Sequence, residues 1–318
     1  MQYRRFGTTD LMLSEVGFGS WAIGGNSFGA VSGKDALDAL ARAESHGCNF
    51  IDTAAVYGEA EARIGRFLHT RRSRWVVATK YSGQRAGMTA TLEAQLSRLG
   101  LEAVDLYQIH WMPSRADDHL LDELATLRQA GKARYTAVSL YNEADIRRAL
   151  ADPRLDGFQV KINLLTPQPF VPMRQAIARS GKGVIARSAL EEGFLTGKYD
   201  ADATFPDPND RRRKITEADR QAIVRRARAF QALCSEDTSP TLLAARYVLS
   251  FPEVSSLLMS TKNATQADTN FSVIPDGALE ERLLASINRV QREQGAFKRA
   301  GILRRAVGKA LRQLGLRR

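Results

Sequence analysis

The chain has 318 residues, 44% of them hydrophobic, enough for a sizeable core and within the range of one α/β barrel. The formal net charge of +11 points to nucleic acid until it is mapped: the last 24 residues hold eight Lys and Arg and no acid, and the rest carries 38 basic against 35 acidic residues, a balance that argues against a basic nucleic-acid-binding body. There is no run of eighteen apolar residues, the opening MQYRRFGTTD has no apolar leader, and two cysteines, Cys48 and Cys234, fit a reducing cytoplasm.

In chain order, MQYRRFGTTDLMLS reads as a β-hairpin with a Gly-Thr-Thr-Asp turn, placed to plug a barrel floor. Eight strand-like runs follow: SEVGFGS (14–20), NFIDTA (49–54), WVVATKY (75–81), VDLYQIHW (104–111), ARYTAVSL (133–140), FQVKINL (158–164), GVIARSA (183–189) and VSSLLMS (254–260). They are near-continuous apolar runs, as parallel strands buried on both faces require. Amphipathic helical stretches such as DALDALARAESHG and ATLEAQLSRLG separate them, closed by Gly47 and Gly100. Cys48, in the lead-in to a strand, reads as a small core residue. The alternation predicts a (β/α)8 TIM barrel over residues 1–295, followed by a basic tail at 296–318. KYDADATFPDPNDRRRK (198–214) reads as a loop, and the segments around SPTLLAARYVLS and DGALEERLLASINRVQRE as a helix pair. The rival doubly wound fold would need G-x-G-x-x-G; the nearest match, GFGSWA from Gly17, ends in alanine.

Catalytic residues of such barrels sit at the carboxyl ends of strands. The polar residues ending the runs are Asp52, Lys80, His110, Ser139, Gln159 or Asn163, and Arg187. The first four follow one another at intervals of 28, 30 and 29 residues, one βα unit per step. Neighbouring strands lie about 4.7–4.9 Å apart, so these side chains can meet on one rim, beside Tyr57. A strand-end Asp alone is more often a cap and a lone His a local hydrogen-bond partner, but three in register beside a Tyr form a constellation. The other histidines, His46, His69 and His119, read as surface.

A phenol titrates near 10, too high for easy proton exchange at neutral pH. A cation about 4 Å away, at an effective dielectric of about 20, attracts the phenolate by on the order of 4 kcal/mol. Lys80 is expected to supply that cation, with Asp52 keeping it charged and His110 aligning a carbonyl oxygen with Tyr57. The set holds no nucleophile, and one His with one Asp makes no metal site. A proton donor aimed at a carbonyl needs hydride from elsewhere, which implies a nicotinamide cofactor.

These residues resemble the aldo-keto reductase family. GFGSW, FIDTAAVYGEAEARIG, ATK, QIHW, GFLTGKY and STKNATQADTN appear in the family's order from about residue 2 to about 290, and D-T-A-x-x-Y-G-x-x-E is a family signature. The resemblance implies a catalytic tetrad of Asp52, Tyr57, Lys80 and His110, with Tyr57 as general acid, and NADP(H) lying extended across the rim. It further implies that Ser139 and Gln159 hold the nicotinamide carboxamide, with Arg187 where a stacking Tyr is common. Leu190, Gly193 and Lys198 would lie near the pyrophosphate. Ser260, Thr261, Lys262, Gln266 and Asn270 would meet the adenosine end, with Lys262 on the 2′-phosphate, favouring NADPH. Trp21 and Trp111 match substrate-pocket aromatics. Leu140 stands where Asn is usual, and Ser260 where Gly is frequent.

The expected activity is reduction of an aldehyde or ketone, including sugar-derived carbonyls, in the cytoplasm. The alternative is a non-catalytic regulatory subunit of the same fold. In the tail, a helical wheel puts Ile302, Leu303, Ala306, Val307, Ala310, Leu311 and Leu314 on one side and Arg304, Arg305, Gly308, Lys309 and Arg312 on the other. Such a helix can lie on an anionic membrane; the competing expectation docks it on its own barrel or on a second subunit.

Overall fold

The computed structural model describes residues 1–271 and 279–297. The tail expected at 296–318 lies, apart from its first two residues, outside the described residues. Strands β1 (Tyr3–Arg5) and β2 (Met12–Ser14) form the antiparallel hairpin, with Tyr3 opposite Ser14. Eight further strands close into a barrel: β3 (Val16–Gly19), β4 (Phe50–Asp52), β5 (Val76–Tyr81), β6 (Val104–Ile109), β7 (Ala133–Leu140), β8 (Gly157–Lys161), β9 (Gly183–Arg187) and β10 (Ser256–Ser260). All neighbours are parallel, and β10 pairs with both β3 and β9. Each strand overlaps a run read from the sequence.

Helices α1 (Gly33–Ser45), α2 (Ala60–Leu68), α3 (Met88–Leu99), α4 (His119–Gln129), α5 (Glu143–Ala151) and α6 (Arg174–Ser180) alternate with the strands. After β9 come α7 (Glu217–Gln231) and α8 (Pro240–Leu249), and after β10 come α9 (Ala264–Phe271) and α10 (Glu281–Glu293). Local chemistry sets the ends. Ser32, Asn142, Thr216 and Ser239 each accept a backbone N–H at the start of α1, α5, α7 and α8, satisfying donors a helix leaves orphaned. The expected helix pair is α8 with α10, joined where Gln291 donates to the Tyr247 hydroxyl at 3.0 Å. Among the described residues no helix is long and apolar enough to cross a membrane.

Two cores result. Outside the barrel, strand and helix side chains pack together, Cys48 among them; burial pushes its thiol up to about 12, so it behaves as a small apolar residue. Inside, Phe50, Ala78, Leu106, Ala137, Ile185 and Leu258 meet Phe6, Leu11 and Leu13 from the hairpin. The hairpin is therefore the floor. Phe6 is fully buried against the first residues of β8 and β9. A Cβ on Gly157 or Gly183 would fall 2.3 or 2.2 Å from its ring or from backbone, which explains glycine at both strand starts.

The 198–214 segment is mostly loop, with one departure from expectation: Arg211–Lys214 winds into a 3-10 turn, capped by Asp210, whose carboxylate accepts the Arg212 N–H at 3.0 Å.

Candidate active site

Asp52 ends β4, Lys80 lies near the end of β5, and His110 directly follows β6. Tyr57 comes from the β4–α2 connection. Its backbone is pressed on the first connection: a Cβ on Gly24 would sit 2.1 Å from the Tyr57 carbonyl, and one on Gly58, at φ +52°, 2.4 Å from the Gly24 carbonyl. Glycine at both positions lets the phenol loop seat against the barrel mouth.

Lys80 is fully buried and Asp52 is 2% exposed. The Lys80 ammonium donates to Asp52 Oδ2 at 2.5 Å and to the Thr53 carbonyl at 2.8 Å. Asp52 Oδ1 accepts from Gln108 at 2.8 Å and from Gln159 at 3.0 Å. Lys80 Nζ stands 5.3 Å from the centre of the Tyr57 ring, which meets the His110 ring edge to face at 5.9 Å. Ser82 Oγ lies 2.9 Å from His110 Nδ1.

The electrostatics differ from the sequence expectation at one point. Burial first, then the charges of Lys80 and Arg187, hold His110 well below its ordinary value, so the imidazole is neutral at pH 7. Burial also lowers Lys80, and Asp52 opposes it. Lys80 was expected to pull the Tyr57 phenol down. Instead, burial raises it, Asp52 adds to the rise, and Arg187 and Arg211 are the cations that oppose it. The physical reason is burial, which disfavours the phenolate and the Lys80 ammonium alike, while the Asp52 charge repels a second anion beside it. Tyr57 thus stands as a protonated phenol.

The other expected residues fall around the same rim. Ser139 pairs in register with Gln159 across β7 and β8. Asn163, the alternative to Gln159, serves the next loop by donating to the Ser188 carbonyl and to Glu191. Arg187 lies 4.6 Å from the Tyr141 ring and reaches the Leu140 carbonyl at 3.4 Å. Leu190 and Gly193 flank and occupy a 3-10 segment, Glu191–Thr196, in which Gly193 has φ +96°. Lys198 follows it, 5.7 Å from the Tyr199 ring. Ser260 ends β10. Lys262 donates to the Phe28 carbonyl at 2.7 Å, Gln266 accepts the Lys262 N–H at 2.9 Å, and Asn270 donates to the Ser260 carbonyl at 3.3 Å. Trp21 stacks on Tyr57 at 5.8 Å with 23° between planes, and Trp111 packs on Tyr81 at 5.9 Å.

A dinucleotide fits this rim on one observation. Among the buried polar side-chain atoms without a protein partner in the described residues, which also include Ser20 Oγ, Thr53 Oγ1 and Gln108 Oε1, Ser139 Oγ, Arg187 Nε and Thr261 Oγ1 belong to residues at the carboxyl ends of β7, β9 and β10. Buried polar groups are nearly always satisfied, so three orphans in an arc mark where a polar ligand belongs.

Sequence reasoning missed Gln108, Ser82, Tyr141 and Arg211. Gln108 was findable: it lies two residues before His110, and alternate residues of a strand share a face. Arg211 carried no such signal, since it arrives from a loop.

The Aldo/keto reductase family model matches residues 15–292. Among curated proteins, an aldo-keto reductase of Bacillus subtilis, YhdN, is 29% identical over 227 residues, covering 64% of this chain and 67% of that one. The NADH-specific methylglyoxal reductase of Escherichia coli is 27% identical over 303 residues, covering 84% and 92%. Among solved structures, the glycerol dehydrogenase of Gluconobacter oxydans superposes with a TM-score of 0.75 at 27% identity, covering 92% and 95%.

Proposed function

The chain belongs to the aldo/keto reductase family, and from that premise we propose that it reduces a short aldehyde or ketone, sugar-derived carbonyls included, with Tyr57 as the proton donor. At the coarser level it is an oxidoreductase working on carbonyl groups with a nicotinamide cofactor. The observation that carries the finer reading is the pair of neutral proton donors, Tyr57 and His110, ring against ring at the barrel mouth.

The substrate oxygen lies between them. With the Ser82 hydroxyl donating a hydrogen bond to His110 Nδ1, the neutral ring carries its proton on Nε2, which is then free to donate to that oxygen. Tyr57 gives up its phenolic proton as negative charge grows there. The carbonyl carbon gains a hydride, which the reduced nicotinamide supplies when bound. The carbonyl oxygen gains the Tyr57 proton, and an alcohol results. The phenolate left behind sits in the field of Arg187 and Arg211 until water reprotonates it. Ser139, Gln159 and Arg187 would hold the nicotinamide end, and Leu190, Gly193 and Lys198 the pyrophosphate. Ser260, Thr261, Lys262, Gln266 and Asn270 would hold the adenosine end. Trp21 and Trp111 would wall the substrate pocket.

NADPH is the expected cofactor, through Lys262. The methylglyoxal reductase of Escherichia coli is NADH-specific by name, so the choice is tested directly. Fluorescence titration should show tighter binding of NADPH than of NADH, with Lys262→Ala removing roughly ten- to a hundredfold of the NADPH affinity, the worth of one charged hydrogen bond. Equal binding of both cofactors, unchanged by the substitution, contradicts the NADPH assignment. Loss of reduced-nicotinamide absorbance with methylglyoxal or glyceraldehyde tests the reaction.

A further inference from the structure

Arg211 and Arg212 are chain neighbours with opposite duties. Arg212 is buried and spent: it donates to both Asp210 oxygens, to the Tyr199 hydroxyl at 2.7 Å and to the Glu192 carbonyl, with its guanidinium 4.3 Å from the Phe205 ring. It pins the loop to itself, to the Glu192 backbone and to the Phe28 ring 5.5 Å away. Other contacts fix the loop to the barrel mouth. The Arg211 N–H donates to the Ser27 carbonyl, and Asp207 accepts the Ala30 N–H, both at 2.9 Å. Anchoring therefore does not need the Arg211 side chain.

That side chain instead lies on the Tyr57 pocket. Its guanidinium carbon is 4.7 Å from the Trp21 ring, which itself stacks on Tyr57. Its charge reaches the phenol, opposing the effect of burial. One Nη donates to Glu192 at 2.7 Å. The remaining N–H groups have no partner among the described residues, and the side chain is 27% exposed. Glu192 is a reluctant counter-ion: its backbone is left-handed at φ 56°, and burial pushes its carboxyl up.

We infer that Arg211 recognises an anionic group on the carbonyl substrate, so that the natural substrates are short aldehydes or ketones bearing a carboxylate or a phosphate. This rests on the carbonyl-reducing function proposed above and narrows it. A guanidinium offers parallel N–H donors that fit either anion. Its place beside Trp21 puts the anion near one end of a short chain whose carbonyl lies at Tyr57 and His110.

The test pairs charged and neutral substrates on the full chain with NADPH: succinic semialdehyde against butanal, and glyceraldehyde 3-phosphate against glyceraldehyde. Wild type should prefer one or both charged partners, and which pair shows the larger ratio tells carboxylate from phosphate. Arg211→Met should lower kcat/KM for the preferred charged partner roughly ten- to a hundredfold more than for its neutral analogue. Glu192→Gln, which removes the competing carboxylate, should move that ratio the opposite way. Equal losses for charged and neutral partners overturn the inference. So does a loss that follows a weakened NADPH affinity in the fluorescence titration, which would assign Arg211 to the cofactor. A second arm needs no turnover: succinate and inorganic phosphate are titrated against the tryptophan fluorescence of the free protein. Saturable binding by either, abolished in Arg211→Met, supports the site, and no binding of either by wild type refutes it. A protein that reduces nothing yet binds these anions through Arg211 would fail the proposed function while keeping the anion site.

Discussion

Replacing Lys80 by Met strands a charge. Asp52 would keep the Gln108 and Gln159 amides but lose its ion-pair partner, in a site where both side chains are at most 3% exposed. Breaking a buried pair from one side costs about 3–5 kcal/mol, a large part of the roughly 5–15 kcal/mol that holds a protein folded. A melting temperature lower by roughly 5–7 °C follows. Asp52→Asn strands the ammonium instead, which keeps the Thr53 carbonyl, and should cost a similar amount. The double variant leaves no unpaired charge, so its loss should be well below the sum of the two single losses, by about 2 kcal/mol or more of coupling. Urea denaturation of the three variants measures this. Carbonyl reduction should stay low in all three, because stability is recovered without the charged pair that organises the site. Strictly additive losses would refute the claim that Asp52 and Lys80 are energetically one unit.

Two further outcomes follow from the structure. His110 is held below its ordinary value chiefly by burial, so as pH falls below about 6.5 the unfolded chain takes up a proton that the folded site refuses. Stability should then fall with falling pH by up to roughly 1.4 kcal/mol per pH unit from this group, and His110→Gln should flatten that acid limb in pH-dependent denaturation; an unchanged limb contradicts the assignment. Phe6→Ala removes the floor plug and should cost about 3–5 kcal/mol, while carbonyl reduction measured below its melting temperature should hold, because Phe6 packs at the end of the barrel away from Tyr57.

The barrel was legible because each strand is an apolar run buried on both faces, and Asp52, Lys80, His110 and Ser139 because they recur once per βα unit at strand ends, with Tyr57 close behind Asp52 in the sequence. What stayed hidden depends on three-dimensional closure. That Gln159 on β8 donates to Asp52 on β4 is a contact across the barrel, and no spacing along the chain announces it. The electrostatics at Tyr57 were misjudged because burial, which raises the phenol and lowers Lys80, depends on closure of the barrel, while Arg187 and Arg211 come from other segments. Helix α7 was not singled out because its buried stripe is only Val224, Ala227 and Phe230 among four arginines. The 3-10 turn at Arg211–Lys214 was hidden for a related reason: four consecutive basic residues read as solvated loop until Arg212 folds back on Asp210.

The central claim is that Tyr57 delivers the proton. The direct measurement compares wild type with Tyr57→Phe, which removes the hydroxyl and keeps the ring stacked on Trp21. NADPH affinity is read by fluorescence and methylglyoxal reduction by loss of NADPH absorbance. The account predicts cofactor binding close to wild type with reduction lowered at least about a hundredfold, the usual worth of a positioned general acid. Reduction at the wild-type rate in Tyr57→Phe, with the cofactor bound, would contradict it.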